Sequence, residues 1–496
     1  MTIRFCRVGI PCPWAPGLDG GDQLKPSRTG IAAAAILAWL SVPVFAESLD
    51  DAMASAYLDN MQLNAARASL RATDESVPLA VAAFRPTVNG AGSATWSWQN
   101  GSSGSGPLCI PLSPGSAGPV SCTTSSGSTS TSTNTRVLSV AISQPIFEGF
   151  RLINGLKQAK TGVRAARYNL QVTEQGVLQE AVQAFMDVVQ DQVIVNDQAQ
   201  NIEYLRKQLE GANESFKSGE GTRTDVAQAK ARLSGGMTNY SEAKSTFTAA
   251  LAAYLKIVGH KPKNLGGVGR IEHLLPKTLE AAIELGLHDN PAVLAAVENV
   301  DVSAYQVKVL EGALLPTLSI SGSASHSVTN GIGANNAAVV ASLSVPIYEG
   351  GRDTTEIRQA KEILGQVRIE LDLTRATIRQ DVMDAWAALE AARSQVESAQ
   401  AEVAANQLAF EGVTEEQKAG QRTLLDLLNA QQELLSSKET LIRAQHDRVV
   451  QASTLLAAVG DLNPEFLRLN VPIYDPKAHY KQVKDDWRGL RTPDGR

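Results

Sequence analysis

Hydrophobic and polar side chains alternate in four short stretches of the chain, and this alternation predicts four β-strands with one apolar face each. The apolar positions are Val88, Ala94, Trp96 and Trp98 in the first stretch and Leu138, Val140 and Ile142 in the second. In the third and fourth stretches they are Leu318 and Ile320, and then Val339, Ala341, Leu343 and Val345. The opposite face of each predicted strand carries small residues, mostly serine and threonine.

A second periodicity, of seven residues, predicts long helices that pack as coiled coils. The repeating apolar positions are Val226, Leu233, Tyr240, Phe247 and Tyr254 in one run and Leu428, Leu435, Ile442, Val449 and Leu456 in another. No proline occurs at 146–261 or at 347–463, so helices can fill both segments apart from turns. A helix over 150–217 would be about 100 Å long, whereas its neighbours, over about 48–84 and 222–258, would each span about 55 Å.

The chain repeats its own pattern, because ISQPIFEGFR at 142–151 returns as LSVPIYEGGR at 343–352. Before this phrase, the two copies match at an offset of 230 residues, and after it they match at an offset of 201. The difference of 29 residues corresponds to a stretch rich in Gly, Ser and Thr at 100–134. We therefore predict one structural unit that is used twice.

The repeat divides the chain into five segments. They are a leader at 1–46, a first helix–β-hairpin–helix repeat at 47–262, a linker at 263–278, a second such repeat at 279–462 and a C-terminal tail at 463–496. We expect the loop at 100–134 to face outward from the first hairpin.

An apolar strand face opposite a small polar face suits a β-sandwich, and it also suits a barrel with lipid outside and water inside. The chain offers no further β region for a sandwich, so a transmembrane barrel fits better. Trp96 and Trp98 would then belong to the aromatic girdle at the membrane surface. Four strands cannot close such a barrel, because about eight is the minimum. We therefore expect two, three or four chains to share one barrel.

Targeting signals near the N-terminus predict export from the cytoplasm. Lys25 and Arg28 precede the apolar run Ile31–Val42, and Val44-Phe45-Ala46 offers a small-residue cleavage site. No later apolar stretch reaches about 18 residues, so we expect no transmembrane helix in the mature chain. The formal net charge of −6 argues against nucleic acid as a partner.

The mature chain keeps two cysteines, Cys109 and Cys122, because Cys6 and Cys12 lie in the leader. Both occur in the stretch 100–134. An exported protein meets an oxidising compartment, so we predict a disulfide that joins them within the outward-facing loop. Two free thiols are the alternative.

No arrangement of residues predicts a catalytic or metal site. The six histidines have no metal-ligand spacing, and no glycine-rich phosphate loop follows a strand. Neighbouring carboxylates, such as Asp381 with Asp384 or Glu415 with Glu416, occur in polar helical surroundings where solvated faces are usual. We therefore expect neither an enzyme nor a bound cofactor.

Taken together, the motifs resemble the TolC family of outer-membrane export ducts over about 48–462. The matching features are the doubled unit, the turn at Asp289–Pro291, the P-I-[FY]-E-G phrase, and the turns SGEGTRTDVAQAKARL and AGQRTLLDLLNAQQEL at 218–233 and 419–434. One departure is Met61, which stands where the second copy has Pro291.

The resemblance implies a homotrimer with a twelve-stranded barrel, four strands per chain, continued by a long α-helical coiled-coil tunnel. Such a duct would lie in the outer membrane of a Gram-negative bacterium, in contact with outer-membrane lipid, and would extend into the periplasm. It would be a passive, water-filled channel. An inner-membrane ABC or RND transporter would open it by docking through a periplasmic adaptor (membrane fusion) protein.

The resemblance also implies where such a tunnel is gated. Gly219 and Gly420 mark the tips of the long helices, since glycine suits the left-handed conformation that ends a helix. Asp426 aligns with the aspartate that lines the periplasmic constriction of the family. Asn429 stands where the family has a second aspartate, so the ring would hold three charges rather than six.

Three further residues are implied to hold the constriction shut. Arg422, Thr224 and Asp225 align with residues whose bridges connect the inner and outer helix pairs of the family. The alternative for the constriction residue is that Asp426 caps the helix after the turn, as aspartate often does near a helix N-terminus.

The tail at 470–491, NVPIYDPKAHYKQVKDDWRGLR, resembles the endings of family members that serve type I protein secretion systems. Its composition is equally typical of a disordered polar tail. We therefore expect the exit duct of a type I system, with the outer-membrane component of a multidrug efflux pump as the alternative. A structural trimeric coiled-coil surface protein would explain the heptads, but not two amphipathic hairpins at matched positions.

Overall fold

Two pairs of long helices and one four-stranded sheet dominate the computed structural model, which describes residues 47–104, 108–111, 120–123, 126–266, 271–493 and 495. Side chains are described for these residues except at 101–129. The leader predicted at 1–46 lies outside the described residues, so its cleavage stays a prediction.

The strands are β1 (Thr87–Gly104), β2 (Leu108–Pro111), β3 (Val120–Thr123), β4 (Ser126–Glu148), β5 (Thr317–Thr329) and β6 (Ile332–Ser344). Strands β1, β4, β5 and β6 form one antiparallel sheet in that order, and they contain the four stretches of alternating residues. The register aligns the apolar faces across the sheet, since Ile142 of β4 pairs with Val88 of β1 and with Gly322 of β5. The separate hairpin of β2 and β3 was not predicted.

The helices are α1 (Leu49–Asp59), α2 (Met61–Asp74), α3 (Ser76–Ala82), α4 (Arg151–Ser218), α5 (Arg223–Val258), α6 (Leu279–Asp289), α7 (Pro291–Glu311), α8 (Arg352–Lys418), α9 (Leu424–Val459) and α10 (Ala478–Val483). Helices α4 and α8 have 68 and 67 residues, and each packs along the shorter helix that follows it, α5 or α9. At about 1.5 Å per residue both are about 100 Å long, as predicted for the first of them. None of the described helices is both long and apolar enough to cross a membrane.

The single helix predicted over 48–84 is wrong, because the structure divides this segment into α1, α2 and α3. Asn60 causes the first break: its backbone is extended, and its side chain accepts hydrogen bonds from the amides of Gln62 and Leu63. Such a side chain satisfies amides that have no partner in the first turn of a helix.

The matching turn in the second copy has the same shape, although Pro291 replaces Met61. Asn290 has φ −63° and ψ 123°, against −61° and 125° for Asn60. Asn60 Nδ2 donates to the carbonyl of Ile257 at 3.1 Å, and Asn290 Nδ2 donates to the carbonyl of Ala458 at 2.9 Å. Each asparagine therefore fixes its turn against the end of the shorter coiled-coil helix in its own repeat.

The hydrophobic core lies where these short helices pack against the long ones. Its largest fully buried side chains include Met53, Tyr57, Phe185, Tyr254 and Leu455. Tyr254 is buried at the end of α5, and its hydroxyl donates to Glu47 Oε1 at 2.6 Å. The N-terminal end of the described chain is thereby attached to the coiled coil.

The C-terminal segment, residues 463–493, packs on α1, α2 and α4 by aromatic and charged contacts as far as Val483, whereas residues 484–493 are exposed. The Arg67 guanidinium lies 4.5 Å from the ring centre of Tyr57 and 5.2 Å from that of Tyr474. The hydroxyl of Tyr57 accepts a hydrogen bond from the amide of Tyr474 at 3.1 Å. His479 Nδ1 lies 3.1 Å from a carboxylate oxygen of the buried Asp74. The prediction that was left open for this segment is therefore resolved in favour of a packed structure.

The cysteines of the first hairpin lie opposite each other in the backbone register. Cys109 of β2 pairs with Cys122 of β3. Opposed residues of an antiparallel pair have Cα atoms about 4.5–5.5 Å apart, a separation that a disulfide can bridge. Their side chains lie outside the described part of the chain, so the disulfide stays a prediction.

We expect thiol labelling of the unfolded, unreduced mature protein to give no signal, because both cysteines would be oxidised. Reduction before labelling should give two labelled cysteines per chain. Full labelling without a reductant would contradict the disulfide, and the Cys109→Ser variant provides the control for one free thiol.

Candidate gate at the helix turns

Two short turns at matched positions join each long helix to its shorter partner. Gly219 follows α4 with φ +85°, and Gly420 lies just beyond α8 with φ +75°. Both conformations are left-handed, and glycine adopts them without the strain that a β-carbon would add. The two glycines named in the sequence analysis therefore allow the chain to leave one helix and begin the next.

A capping box begins the helix after each turn. At the start of α5, the Asp225 amide donates to Thr222 Oγ1 at 3.2 Å, and the Thr222 amide donates to Asp225 Oδ2 at 3.0 Å. At the start of α9, Thr423 and Asp426 make the same two bonds at 3.2 and 3.0 Å. The alternative role of Asp426, a helix cap, is thus present in the structure. Its other carboxylate oxygen makes no hydrogen bond to a described residue.

Both capping carboxylates are held in the ionised form. Hydrogen bonds from the side chain and then the backbone of Thr222 lower the pKa of Asp225. Those from the backbone and then the side chain of Thr423 lower the pKa of Asp426. Each chain therefore presents negative charge on two partly exposed carboxylates at these turns over the neutral pH range, whichever role Asp426 has.

The residues implied to bridge the helix pairs do not meet within one chain. Arg422 Nε donates to Glu416 Oε2 at 2.8 Å, while Asp225 is engaged by Thr222 and Thr224 is exposed. The structure describes a single chain and not the contacts between subunits, so the bridging roles of Arg422, Thr224 and Asp225 stay predictions. The sequence predicts Glu416 only as a solvated carboxylate, and its pairing with Arg422 was missed because helical periodicity does not relate residues on opposite sides of a turn.

Asn429 contacts the first repeat. Its side-chain oxygen accepts a hydrogen bond from Arg232 Nη2 at 2.6 Å, which connects α9 to α5. An aspartate at this position would form an ion pair with the same arginine. Arg232 was not singled out in the sequence, since one arginine on an exposed helix gives no signal of its own.

The two candidate girdle residues lie on the apolar face of the sheet. Trp96 and Trp98 are 70% and 61% exposed, and the indole Nε1 of Trp96 donates to Ser132 Oγ at 3.0 Å. They share a strand face with Val88, and β4 presents Leu138 and Ile142 on the same side. Their polar N–H groups and apolar rings suit a membrane surface.

The turns offer charge but no apparatus for a reaction. In the parts of the chain that the structure describes, no group of three or more His, Cys, Asp or Glu side chains is arranged to hold a metal ion. The partly exposed carboxylates of Asp225 and Asp426 place negative charge beside threonines at both turns.

Comparisons with known proteins agree with this geometry. The sequence profile of the outer membrane efflux protein family matches residues 53–260 and 282–461. The outer membrane efflux protein BepC of Brucella suis is 38% identical, over 95% of this chain and 99% of the relative. The alkaline protease secretion protein AprF of Pseudomonas aeruginosa is 29% identical, over 67% of this chain and 71% of the relative.

A solved structure shows the same fold. The outer membrane channel CmeC of Campylobacter jejuni aligns with a TM-score of 0.69 at 18% identity, over 88% of this chain and 89% of that one. The predicted fold class is confirmed: one four-stranded sheet is joined to two pairs of long helices, which is the fold of outer-membrane channels that combine a shared barrel with a helical tunnel. The predicted location is confirmed as well, in the outer membrane with the helices extending into the periplasm.

Proposed function

We propose, because the chain belongs to the outer membrane efflux protein family, that it forms the exit duct of a type I protein secretion system. An inner-membrane ABC transporter would open the duct by docking through a periplasmic adaptor protein. The four-stranded sheet, joined directly to two helices that are about 100 Å long, is the observation that carries a channel function.

Two observations support a protein cargo. The relative AprF is named for the secretion of an alkaline protease. The C-terminal segment, which resembles the endings of type I members, is packed on the body of the chain rather than detached from it.

The name of BepC, at 38% identity, favours the alternative, the outer-membrane component of a multidrug efflux pump. An RND transporter would then take the place of the ABC transporter. Loss of a secretion duct removes a protein from the medium, whereas loss of an efflux duct makes the cell sensitive to drugs, so a deletion strain distinguishes the two cargos.

We expect a deletion strain to lack at least one protein in the culture medium while its sensitivity to dyes, detergents and antibiotics is unchanged. The reverse result would contradict the secretion proposal and support efflux. Return of the wild-type gene should restore whichever property was lost, and this provides the control.

The duct that we propose is passive and has no catalytic activity. Its gate would lie at the two helix turns, with Asp426 and Asn429 at the constriction and with Arg422, Thr224 and Asp225 as bridges between helix pairs. We also propose the division of the chain into repeats at 47–262 and 279–462, with the linker and the tail outside them. The pairing of repeat with repeat would place both turns at the same end of the tunnel.

The edges of the sheet predict a stable trimer in solution. Within the described residues, strands β1 and β6 have no neighbour on their outer sides, and every residue of β6 is exposed. Unpaired backbone groups are too costly to leave in lipid, so β6 of one chain should pair with β1 of the next. Mass measurement in mild detergent should give three chains per particle, and a stable monomer or dimer would contradict this closure.

A further inference from the structure

The lipid-facing side of the sheet carries one permanent positive charge. Strands β1, β4, β5 and β6 contain only two residues of type Asp, Glu, Lys or Arg, namely Arg136 and Glu148. Glu148 is the last residue of β4, about 40 Å along the strand at about 3.4 Å per residue. Arg136 has the same parity as Leu138 and Val140, so it lies on the apolar face, where it is exposed.

The register places this arginine below the tryptophan girdle. Arg136 pairs with Ala94, whereas Trp96 and Trp98 of the same strand lie two and four residues further toward the outward end. These steps correspond to about 7 and 14 Å along the strand. Among the described side chains, no carboxylate forms an ion pair with Arg136. Its guanidinium therefore stands just inside the membrane surface, where an unpaired cation is unfavourable.

A second hydrogen-bonding group lies beside it. His326 of β5 pairs with Leu138, one position along the same face from the pair of Arg136 with Val328. His326 Nδ1 is 2.7 Å from Asn335 Oδ1, which leaves the Nε2 side of the ring open. Diagonal neighbours on one face have β-carbons about 7 Å apart, which is within reach of a long arginine side chain.

A shallow apolar groove lies further along the same face, beyond His326 and toward the centre of the membrane. It has a volume of about 390 Å³ and its lining includes Val140, Ile142, Gly322, Ala324, Ala337 and Val339. A β-carbon at Gly322 would lie only 3.1 Å from Cγ2 of Ile142. The glycine therefore keeps the bottom of the groove free of a side chain. The groove begins about 14 Å along β4 from Arg136.

We propose that Arg136 and His326 bind the phosphate of an anionic lipid in the outward leaflet, and that one acyl chain of this lipid lies in the groove. The guanidinium can donate two parallel hydrogen bonds to phosphate oxygens. An acyl chain extends from the head group toward the centre of the membrane, which is where the groove lies. Charge complementarity favours a lipid with net negative charge over a zwitterionic one such as phosphatidylcholine, whose phosphate is balanced by its own quaternary ammonium group. Because β4 and β5 are inner strands, the trimer would hold three such sites. The proposal rests on the outer-membrane position of the sheet and not on the cargo proposed above.

The test uses the whole trimer in mild detergent, incubated with phosphatidylcholine or with the diphosphorylated glycolipid lipid A, and native mass spectrometry to count the bound lipids. We expect up to three lipid A molecules per wild-type trimer, and about tenfold weaker retention by Arg136→Gln, which corresponds to about 1.4 kcal/mol. Arg136→Lys should retain lipid A at an intermediate level, because a lysine keeps the charge but not the paired hydrogen bonds. Arg375→Gln, on exposed helix α8, should match the wild type.

The groove is tested separately by Ala324→Leu, which adds only apolar bulk to an apolar face. We expect this variant to retain lipid A poorly although its arginine is intact. Equal retention of lipid A by the wild type and Arg136→Gln, equal retention of phosphatidylcholine and lipid A, or displacement of lipid A by inorganic phosphate alone would each overturn the proposal. The same spectra report the mass of the trimer, so they show whether Arg136→Gln still assembles. If it does not, the comparison of Arg136→Lys with the wild type tests the proposal.

Discussion

Asp426→Asn should weaken the block of ion conduction by divalent cations about tenfold or more. Asp225→Asn removes a proposed bridge, so it should raise the conductance of the closed channel, but it should leave the block by divalent cations unchanged because the Asp426 ring is intact. Three Asp426 carboxylates around a threefold axis would attract a divalent cation, and each one removed lowers the potential that holds it. Asparagine keeps a side-chain oxygen that can accept the bond from the Thr423 amide, so the capping box survives while the charge is lost. Planar-bilayer recording, with the cation added on the side of the helix turns, measures the effect.

The first repeat supplies a matched control for this experiment. Asp225 forms the same capping box with Thr222, and the pKa of both carboxylates is lowered by the same kind of hydrogen bonds. The two variants therefore differ in position and not in local chemistry. An equal block in the wild type and both variants would show that Asp426 is a cap only, and that the constriction lies elsewhere.

Arg67→Ala should lower the free energy of unfolding by about 3–5 kcal/mol, because two hydrogen bonds from a buried charged donor are lost, each worth about 1.5–3 kcal/mol. Arg67 is only 8% exposed, and it donates to the carbonyl of Tyr57 at 3.0 Å and to Asn64 Oδ1 at 3.1 Å. Its removal would also take away the cation that lies over the rings of Tyr57 and Tyr474 and that favours the charged form of Glu174. Circular dichroism of the helices during denaturation measures the loss.

The loss should grow with pH. Burial raises the pKa of Glu174 to about 7, and Arg67 opposes this rise. In the folded state Glu174 therefore binds its proton more tightly than in the unfolded chain. The stability that this proton contributes is complete below about pH 4.5, and it falls as the pH rises through about 7. Without Arg67 the pKa rises further, so the variant should be more damaged near pH 8 than near pH 5.

Two variants control the interpretation of Arg67→Ala. Arg206→Ala removes an exposed arginine whose partner is Glu203, and it should change the free energy of unfolding by no more than about 0.5 kcal/mol. Adding Glu174→Gln to Arg67→Ala should recover part of the loss and remove its pH dependence. A loss that is independent of pH and unaffected by Glu174→Gln would contradict the electrostatic account.

The sheet and the long helices could be predicted because each leaves a periodic signal in the sequence. Alternation of period two placed Leu138 and Ile142 on one face, and the heptads from Leu428 to Leu456 identified α9. The turns could be located from Gly219 and Gly420, since few other residues adopt the backbone conformation that they require.

Contacts between distant parts of the chain could not be predicted in the same way. The turn at Asn60 is held in place by a hydrogen bond to the carbonyl of Ile257, which is 197 residues away, and the local sequence does not indicate that partner. Composition left the C-terminal segment between order and disorder, because its polar residues are satisfied by Asp74 and Arg67 and not by one another. Arg422 was assigned to another helix pair by resemblance, whereas within the chain Glu416 is its nearer partner.

The contacts of the C-terminal segment constrain the order in which the chain can mature. The bonds of Tyr474 with Tyr57 and of His479 with Asp74 join residues 417 and 405 positions apart, which is most of the described chain. A chain that leaves the cytoplasm N-terminus first delivers α2 early and this segment last. Arg67 and Asp74 therefore lack their contacts with Tyr474 and His479 until translocation is finished. The packing around Arg67 and Asp74 is therefore completed only when Tyr474 and His479 arrive.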